Sequence, residues 1–311
     1  MPVSRRAVTV SPDSEEGEKV MIYLREFSML TRKQEEDFFT DPTNVKARRT
    51  CYTTKYPYGV FRYRELPSFE FEPITILYGG NGSGKSTILN VMAEKLRVRR
   101  GAVFNRSDFY DDYVSACRYK LERGKSIPEE SKIITSDDVF DYLLDIRCIN
   151  DGIDTTRAKL FDKYVSDKYE PYQLRSLDDY EEFRRRSDAK SKSQSQYVKN
   201  RLMRNVQERS NGESALIYFT DSIKENALYL LDEPENSLSA SLQLELKKFI
   251  EDSVRFFKCQ FVISTHSPFL LSMEGAKVYD LDVTPPEARP WTKLENVRIY
   301  HEFFAEHAHE F

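Results

Sequence analysis

Residues 79–87 read GGNGSGKST, and these residue types at this spacing are suited to binding phosphate groups. They match the pattern G-x-x-x-x-G-K-[ST], with Gly79, Gly84, Lys85 and Ser86 at its fixed positions. The glycines let backbone N–H groups turn toward phosphate oxygens at the positive end of the following helix. Lys85 can supply charge to the β- and γ-phosphates, and the Ser86 hydroxyl can bind Mg²⁺. The pattern predicts a nucleoside triphosphate site, whose other cradle positions are Gly80, Asn81, Gly82, Ser83 and Thr87.

Two further apolar runs end in residues that could complete such a site. Residues 227–233, ALYLLDE, read as a buried strand that ends in Asp232 and Glu233. An Asp at a strand tip beside the phosphate loop can hold Mg²⁺, which leaves the adjacent Glu free to polarise an attacking water. A third strand at 261–264 leads to His266, although a lone His at a strand tip is more often structural than functional.

The order of these segments carries a resemblance. Residues 209–216, RSNGESAL, form a polar turn that opens an apolar helical stretch upstream of the Asp-Glu strand. A phosphate loop, a Ser/Gly turn, an Asp-Glu strand and a His strand, in this order, resemble the ABC-type ATPase head. The segments DEPENSL at 232–238 and STHSPFLL at 264–271 are more similar to SMC-like and OLD-like predicted ATPases than to transporter heads. These two segments also resemble the corresponding motifs of the ATPase of anti-phage Septu systems.

This resemblance implies a role for each matching residue. Residues 79–87 would be the phosphate cradle, with Lys85 in it, and Asp232 would be the magnesium-side carboxylate next to Ser86. Glu233 would be the general base for hydrolysis, and His266 would be the switch that contacts the γ-phosphate. The implied cofactors are ATP and Mg²⁺.

A second set of residues would act across a dimer interface. Residues 210–213 would be the signature that contacts ATP bound in the partner subunit, with Ser210 and Gly212 as its contact residues. Residues 236–239 would be the loop that passes between the two sites. Asn211 stands where the common signature has its first glycine, and Ser239 stands where transporter-like heads carry Asp. The first departure is expected to weaken the signature's contact with the γ-phosphate.

The glutamine loop of such heads has no single candidate in the sequence. It normally lies between the phosphate loop and the signature, and none of the glutamines there ends a convincing strand. The alternatives are Gln173, Gln194, Gln196 and Gln207, or the segment Ser136-Asp137-Asp138 after the apolar run 132–135.

The elements that must position these residues can be read from hydrophobic periodicity. The resemblance implies an α/β fold of the P-loop NTPase class, with an ABC-type head built on a mainly parallel core sheet flanked by helices. The alternating aromatic pattern over 50–78, broken at Pro57, Pro67 and Pro73, predicts a small antiparallel N-terminal sheet that covers the nucleotide. A mobile arm is expected at 1–20, a single ATPase domain over 21–311, and a helical lobe over about 104–209 inserted between phosphate loop and signature.

Three more segments have a hydrophobic pattern that predicts a helix or a strand. Apolar residues at 140, 143, 144 and 146 have helical spacing within the lobe, and those at 242, 246, 249 and 250 predict the helix that returns to the His strand. Residues 278–281 predict a further short strand.

Composition narrows the class of protein. The 311-residue chain has a net charge of −4, so the whole molecule is not strongly attracted to nucleic acid. No apolar run approaches the ~18–20 residues of a membrane span, and the N-terminus lacks the apolar core of a secretory signal. Its four cysteines, at 51, 117, 148 and 259, have no paired spacing. We expect a cytoplasmic protein with no membrane partner.

The segment 184–209 is rich in arginine and lysine and has two interpretations. It could be a basic lid that contacts phosphates of DNA or RNA when two heads close. It could equally be a solvated helical hairpin whose charges pair with the acidic lobe before it. At the other end of the chain, His301, His307 and His309 alternate with glutamates, and an exposed chain end explains them better than a metal site.

The expected function is therefore an ATPase that dimerises on Mg-ATP and reopens on hydrolysis. It would gate a partner effector or a nucleic-acid transaction in anti-phage defence or DNA repair. Ser210 follows Lys85 by 125 positions, too few for a long coiled coil, and 45 residues follow His266, too few for a nuclease domain. Any cutting of DNA is therefore expected from a partner nuclease. The alternative is a nucleotide-gated scaffold that turns over little and holds that nuclease.

Overall fold

A computed structural model describes residues 20–49, 51–170, 180–206 and 210–311. Apart from Val20, the arm predicted at 1–20 lies outside these residues. The strands are β1 (Leu24–Ser28), β2 (Phe69–Glu70), β3 (Ile74–Tyr78), β4 (Arg118–Leu121), β5 (Lys132–Thr135), β6 (Leu228–Asp232), β7 (Gln260–Ser264), β8 (Lys277–Asp280) and β9 (Glu287–Ala288). The helices are α1 (Arg32–Thr40), α2 (Lys85–Leu96), α3 (Tyr110–Ala116), α4 (Ser136–Tyr169), α5 (Tyr180–Ser191), α6 (Gln194–Lys199), α7 (Asn211–Ser222), α8 (Ala240–Phe257), α9 (Pro268–Leu271) and α10 (Glu295–Glu306).

The core is a six-stranded sheet in the order β5-β6-β7-β3-β8-β9, parallel except for the antiparallel edge strand β9. Its central strands are short apolar runs, and every residue of β3 and β7 is buried. This composition is expected of parallel strands covered on both faces. The predicted fold class is confirmed. Because the five parallel strands share one direction, their carboxyl ends meet at one edge, where ligands bind in open α/β sheets.

The small antiparallel sheet exists, but its strands are not those predicted from residues 50–78. It has the order β2-β1-β4, so only β2 comes from that segment. Of the aromatic residues before it, Tyr58 and Phe61 lie in turns and are buried, whereas Tyr63 lies in a turn and is exposed. The alternation therefore does not arise from strand pairing. The buried side chain of Gln260 joins the two sheets, because it accepts from the backbone of Tyr23 and Leu24, each at 2.8 Å.

The helical lobe is shorter than predicted, and one long helix dominates it. Residues 118–121 and 132–135 are strands of the two sheets, so the lobe begins only at Ser136. Helix α4 has 34 residues, about 51 Å at 1.5 Å per residue, and packs against α5 and α6. Of the apolar positions predicted to face its core, Leu143 is buried, whereas Phe140 and Leu144 are exposed.

The other predicted elements are present. Helix α8 buries Leu246 and Ile250 against the sheet, as its spacing predicted. Strand β8 covers the expected run at 278–281, displaced by one residue. Within the described ranges, no helix combines the length and apolarity needed to span a membrane.

Candidate functional site

The phosphate loop lies between β3 and α2, and close packing keeps it small. Gly84 precedes the helix with φ +94, and a Cβ there would lie 2.4 Å from the ring of Phe61. A Cβ on Gly79 would lie 2.6 Å from the Ser83 hydroxyl oxygen. Side chains at these two positions would push into the loop, so both glycines are required by packing, and Gly84 also by its left-handed backbone.

Lys85 directs its charge into this loop. Its side chain is 4% exposed, and Nζ donates to the carbonyl oxygens of Gly79 at 2.7 Å and Gly80 at 3.2 Å. Glu233 Oε1 lies 3.6 Å from the same nitrogen. A buried ammonium at the first turn of a helix provides the charge that a triphosphate requires.

Oxygen donors suited to Mg²⁺ lie beside the loop. Ser86 Oγ donates to Asp232 Oδ1 at 3.1 Å, and the Ser264 hydroxyl donates to the same oxygen. Burial raises the pKa of Asp232, although both hydroxyl contacts oppose that rise. In the described part of the chain, no group of three or more His, Cys, Asp or Glu could hold a metal alone. One hydroxyl and one carboxylate fit Mg²⁺, which takes few protein ligands and completes its shell with phosphates and water.

The backbone of Glu233 is strained in a way that aims its carboxylate. Its φ is +48, a left-handed value that non-glycine residues rarely adopt. Two contacts hold it there: its N–H donates to the Ser264 carbonyl oxygen at 3.0 Å, and the Asn236 amide donates to its Oε2 at 3.1 Å. His266 Nδ1 lies 3.9 Å from Glu233 Oε1. The carboxylate therefore lies between the Lys85 ammonium and the His266 ring.

Sequence reasoning missed two residues that hold His266. Glu235 is buried, and its Oε1 accepts from the Thr265 hydroxyl at 2.7 Å and from the His266 N–H at 2.9 Å. The Asn296 amide, at the start of α10, donates to the His266 carbonyl oxygen at 3.3 Å. The signal for Glu235 was its position in DEPE, because a carboxylate buried just after a strand tip must find donors nearby.

The polar turn predicted at 210–213 forms the start of α7. Ser210 caps α7, accepting from the Glu213 N–H at 3.2 Å, and the Arg147 guanidinium donates to the Asn211 side chain at 2.9 Å. A Cβ on Gly212 would lie 3.1 Å from the Ser237 carbonyl oxygen, which places the turn against the 236–239 loop. Among the described residues, no hydrogen bond joins Ser210 or Gly212 to residues 79–87.

The structure favours one of the glutamine-loop alternatives. Ser136 follows β5, which pairs in parallel with β6, so it lies at the same sheet edge as Asp232. Gln194 and Gln196 lie in α6 of the lobe, and Gln173 and Gln207 fall outside the described residues. Ser136–Asp138 is therefore the better placed candidate.

The basic segment pairs extensively within the lobe. Arg185 donates to the buried Asp167 at 2.8 Å, and Arg186 donates to Glu182 at 3.0 Å. Lys192 and Arg201 both lie 3.0 Å from Asp188. At the other end of the chain, His307 contacts Glu310 at 2.7 Å.

The family model described as "ABC transporter" matches residues 68–236, more than half of the 311 positions. A search of curated proteins found no match.

Several solved structures are similar to this chain at low identity and low TM-score. An SMC head domain from Pyrococcus furiosus, bound to the C-terminal domain of ScpA, is 14% identical with a TM-score of 0.37, over 76% of this chain and 94% of that one. The Thermotoga maritima SMC head is 13% identical with a TM-score of 0.35, over 72% and 92%. The dimeric ATP-binding cassette MJ0796 with ADP and Pi is 15% identical with a TM-score of 0.33, over 71% and 88%.

Proposed function

This chain belongs to the ABC transporter family, and we propose that it is an ATPase that closes head to tail as a dimer around two Mg-ATP. The observation that carries the proposal is the meeting of Lys85, Ser86, Asp232, Glu233 and His266 at one sheet edge. These residues come from three strand ends, yet a chain of contacts no longer than 3.9 Å joins them.

The proposed chemistry uses each group according to its surroundings. Lys85 and the loop N–H groups bind the triphosphate, and Ser86 and Asp232 hold the metal. Bound Mg²⁺ neutralises phosphate charge and orients the γ-phosphate. Glu233 accepts the proton of the attacking water, and His266 donates to the γ-phosphate side of the site. The Lys85–Glu233 contact must lengthen when ATP enters, because the phosphates compete for the same ammonium.

The head-to-tail dimer is supported by the position of the signature. Ser210 lies at the N-terminus of α7, whose free N–H groups and positive dipole favour phosphate. In the described residues it makes no hydrogen bond to its own phosphate loop, so a second copy is the more suitable source of its nucleotide.

Ser210→Arg should leave ATP binding by the monomer intact and prevent ATP-induced dimerisation. A long charged side chain at the turn would occupy the space that the partner's γ-phosphate needs. Light scattering with Mg-ATP measures the dimer. Ser193→Arg is the matched control, because Ser193 also caps a helix through a capping box, on α6. Equal dimerisation of Ser210→Arg and the parent would contradict the trans role of the signature.

A scaffold that turns over little is the second candidate function. It is favoured by Asn211, which replaces the first signature glycine and is bound by Arg147 rather than left free. Steady-state ATPase rates with and without DNA separate the two candidates. Turnover on the order of 1 s⁻¹ or faster supports the switch, whereas near-zero turnover with retained ATP binding supports the scaffold.

The dimer's partners are proposed from the resemblance of its motifs. DEPENSL and STHSPFLL support an SMC-like or OLD-like ATPase that gates a partner nuclease in anti-phage defence or DNA repair. Ion pairs within the lobe leave fewer of its basic residues available to bind the phosphates of DNA or RNA. Four of its basic residues are exposed and have no ion-pair partner among the described residues, namely Arg184, Lys190, Lys199 and Arg204.

Changing these four residues to Ser should weaken retention of DNA or RNA and flatten its salt dependence. Each lost phosphate contact lowers the salt slope by roughly one. The control removes four exposed cations elsewhere, at Lys33, Arg48, Lys125 and Lys248, so the change in net charge is the same. Fluorescence anisotropy over a salt series measures both. If the two quadruple variants have equal slopes, the segment is a solvated surface and not a nucleic-acid contact.

A further inference from the structure

Two side chains distant in sequence hold the phosphate loop from outside. Arg64 Nη1 donates to the Ser83 carbonyl oxygen at 2.6 Å and to the Leu281 carbonyl oxygen at 2.8 Å. The N–H of Gly80 donates to both carboxylate oxygens of Asp282, at 3.0 and 2.8 Å. Neither Arg64 nor Asp282 belongs to the phosphate-loop pattern.

The two contacts act on different backbone groups of the loop. Asp282 accepts from an N–H near its start, and Arg64 donates to a carbonyl near its end. Lys85 binds the carbonyl groups of Gly79 and Gly80 through its own ammonium. The loop backbone is therefore fixed by three side chains, at carbonyl groups and at one N–H.

The outer contacts are themselves anchored on the core sheet. Asp282 and Leu281 directly follow β8, the parallel neighbour of β3. The Leu281 N–H donates to the Tyr78 carbonyl oxygen at 2.9 Å, immediately before the loop. The Asp282 N–H donates to Asp280 Oδ1 at 3.0 Å, which fixes the direction of the segment.

We propose that Arg64 and Asp282 are positioning residues that hold the phosphate loop in its nucleotide-binding shape. The inference rests on the ATP-binding function proposed above. A loop that is already ordered in the free protein loses less conformational entropy when the triphosphate binds. This smaller entropy loss raises the affinity for the nucleotide. Arg64 additionally adds positive charge beside the loop, and its conservative replacement by Lys retains that charge.

Arg64 and Asp282 together form a clamp on the loop. This clamp should affect nucleotide affinity more than the rate of hydrolysis, because neither residue contacts Glu233, His266 or Asp232. Arg64→Ala should raise the Kd for Mg-ATP roughly tenfold, and Asp282→Ala roughly fivefold. The smaller effect is expected for Asp282 because its carboxylate is solvent-exposed. Asp282→Asn and Arg64→Lys, which each keep a suitable acceptor or donor, should recover part of the loss. The kcat at saturating ATP should stay within about twofold of the parent.

The test measures binding of a fluorescent ATP analogue with Mg²⁺, together with KM and kcat for ATP. Glu274→Ala and Arg123→Ala are the controls, because both residues are exposed and lie close in sequence to a strand. Arg123 follows β4 of the small sheet, and Glu274 precedes β8 of the core sheet. Melting curves without nucleotide show whether a variant is folded. In the double variant Arg64→Ala/Asp282→Ala, the loss should be smaller than the product of the single losses, because both residues act on one loop.

Other results would overturn the clamp. Unchanged Kd in both Ala variants would mean that the loop keeps its shape without them. Tighter binding by both Asp282→Ala and Asp282→Asn would mean that the carboxylate repels the triphosphate instead of positioning its site. If the parent protein fails to bind the analogue, the proposed function fails and the clamp fails with it, whereas a parent that binds while the Ala variants match it overturns the clamp alone.

Discussion

Glu233→Gln should stop ATP turnover and make the closed, ATP-bound dimer accumulate. The amide keeps the size of the side chain and its contact with Asn236, but it cannot accept a proton from water. Loss of a general base lowers the rate by on the order of 10²–10⁴. Lys85, Ser86 and Asp232 are unchanged, so Mg-ATP should still bind. Removing the carboxylate also removes the negative partner of the Lys85 ammonium, which should favour the phosphates further.

Two measurements test this result. Phosphate release gives the rate, and light scattering should show a larger particle with Mg-ATP but not with Mg-ADP. Glu245→Gln, an exposed position on α8, is the matched control and should behave as the parent does. Parental turnover by Glu233→Gln would place the base elsewhere. Loss of turnover with no dimer would leave the chemistry standing and remove the head-to-tail mechanism.

Lys85→Ala should abolish ATP binding at ordinary nucleotide concentrations. Truncating one member of a buried charge pair costs about 2–5 kcal/mol, which is roughly 30- to 4,000-fold in Kd. The reason is structural as well as electrostatic, because Lys85 also binds the carbonyl groups of Gly79 and Gly80 and so fixes the loop backbone. Equilibrium binding of a fluorescent ATP analogue measures the loss.

Lys95→Ala is the control for this variant. Lys95 lies in the last turn of the same helix, where its ammonium donates to the Ser115 carbonyl oxygen, so a lysine is removed from α2 without touching the loop. It should bind ATP as the parent does. Binding by Lys85→Ala within a few-fold of the parent would show that residues 79–87 are not a phosphate loop.

Local patterns in the sequence were sufficient to predict the core strands and the residues that meet at their ends. Each of β3, β6 and β7 is a short, mainly apolar run followed at once by glycine, acidic or hydroxyl residues, so strand and site are encoded together. The small sheet was predicted less well, because β1 and β4 are recognisable only once their pairing is known. The roles assigned to Lys85, Glu233 and His266 stay predictions.

What the sequence could not indicate are contacts between distant segments. Phe61 lies under Gly84, Arg64 reaches Ser83, and Glu235 holds His266, but no spacing rule links these pairs. They depend on which loops the sheet topology brings together. The same limit applies to the basic segment, whose sequence leaves open whether its charges are paired; in the structure Arg185 pairs with Asp167 and Lys192 with Asp188.

The position of β3 in the sheet also has a consequence for how the protein is made. Ile74 pairs with Phe261, 187 positions later, and Thr75 pairs with Lys277 on the other side. At about 5–20 residues per second, a ribosome needs roughly 10–40 s to reach these partners. During that time a mostly apolar strand has both edges unpaired, which is the condition under which nascent chains aggregate or recruit chaperones. The nucleotide site therefore cannot assemble before the partner strands β7 and β8 have been synthesised.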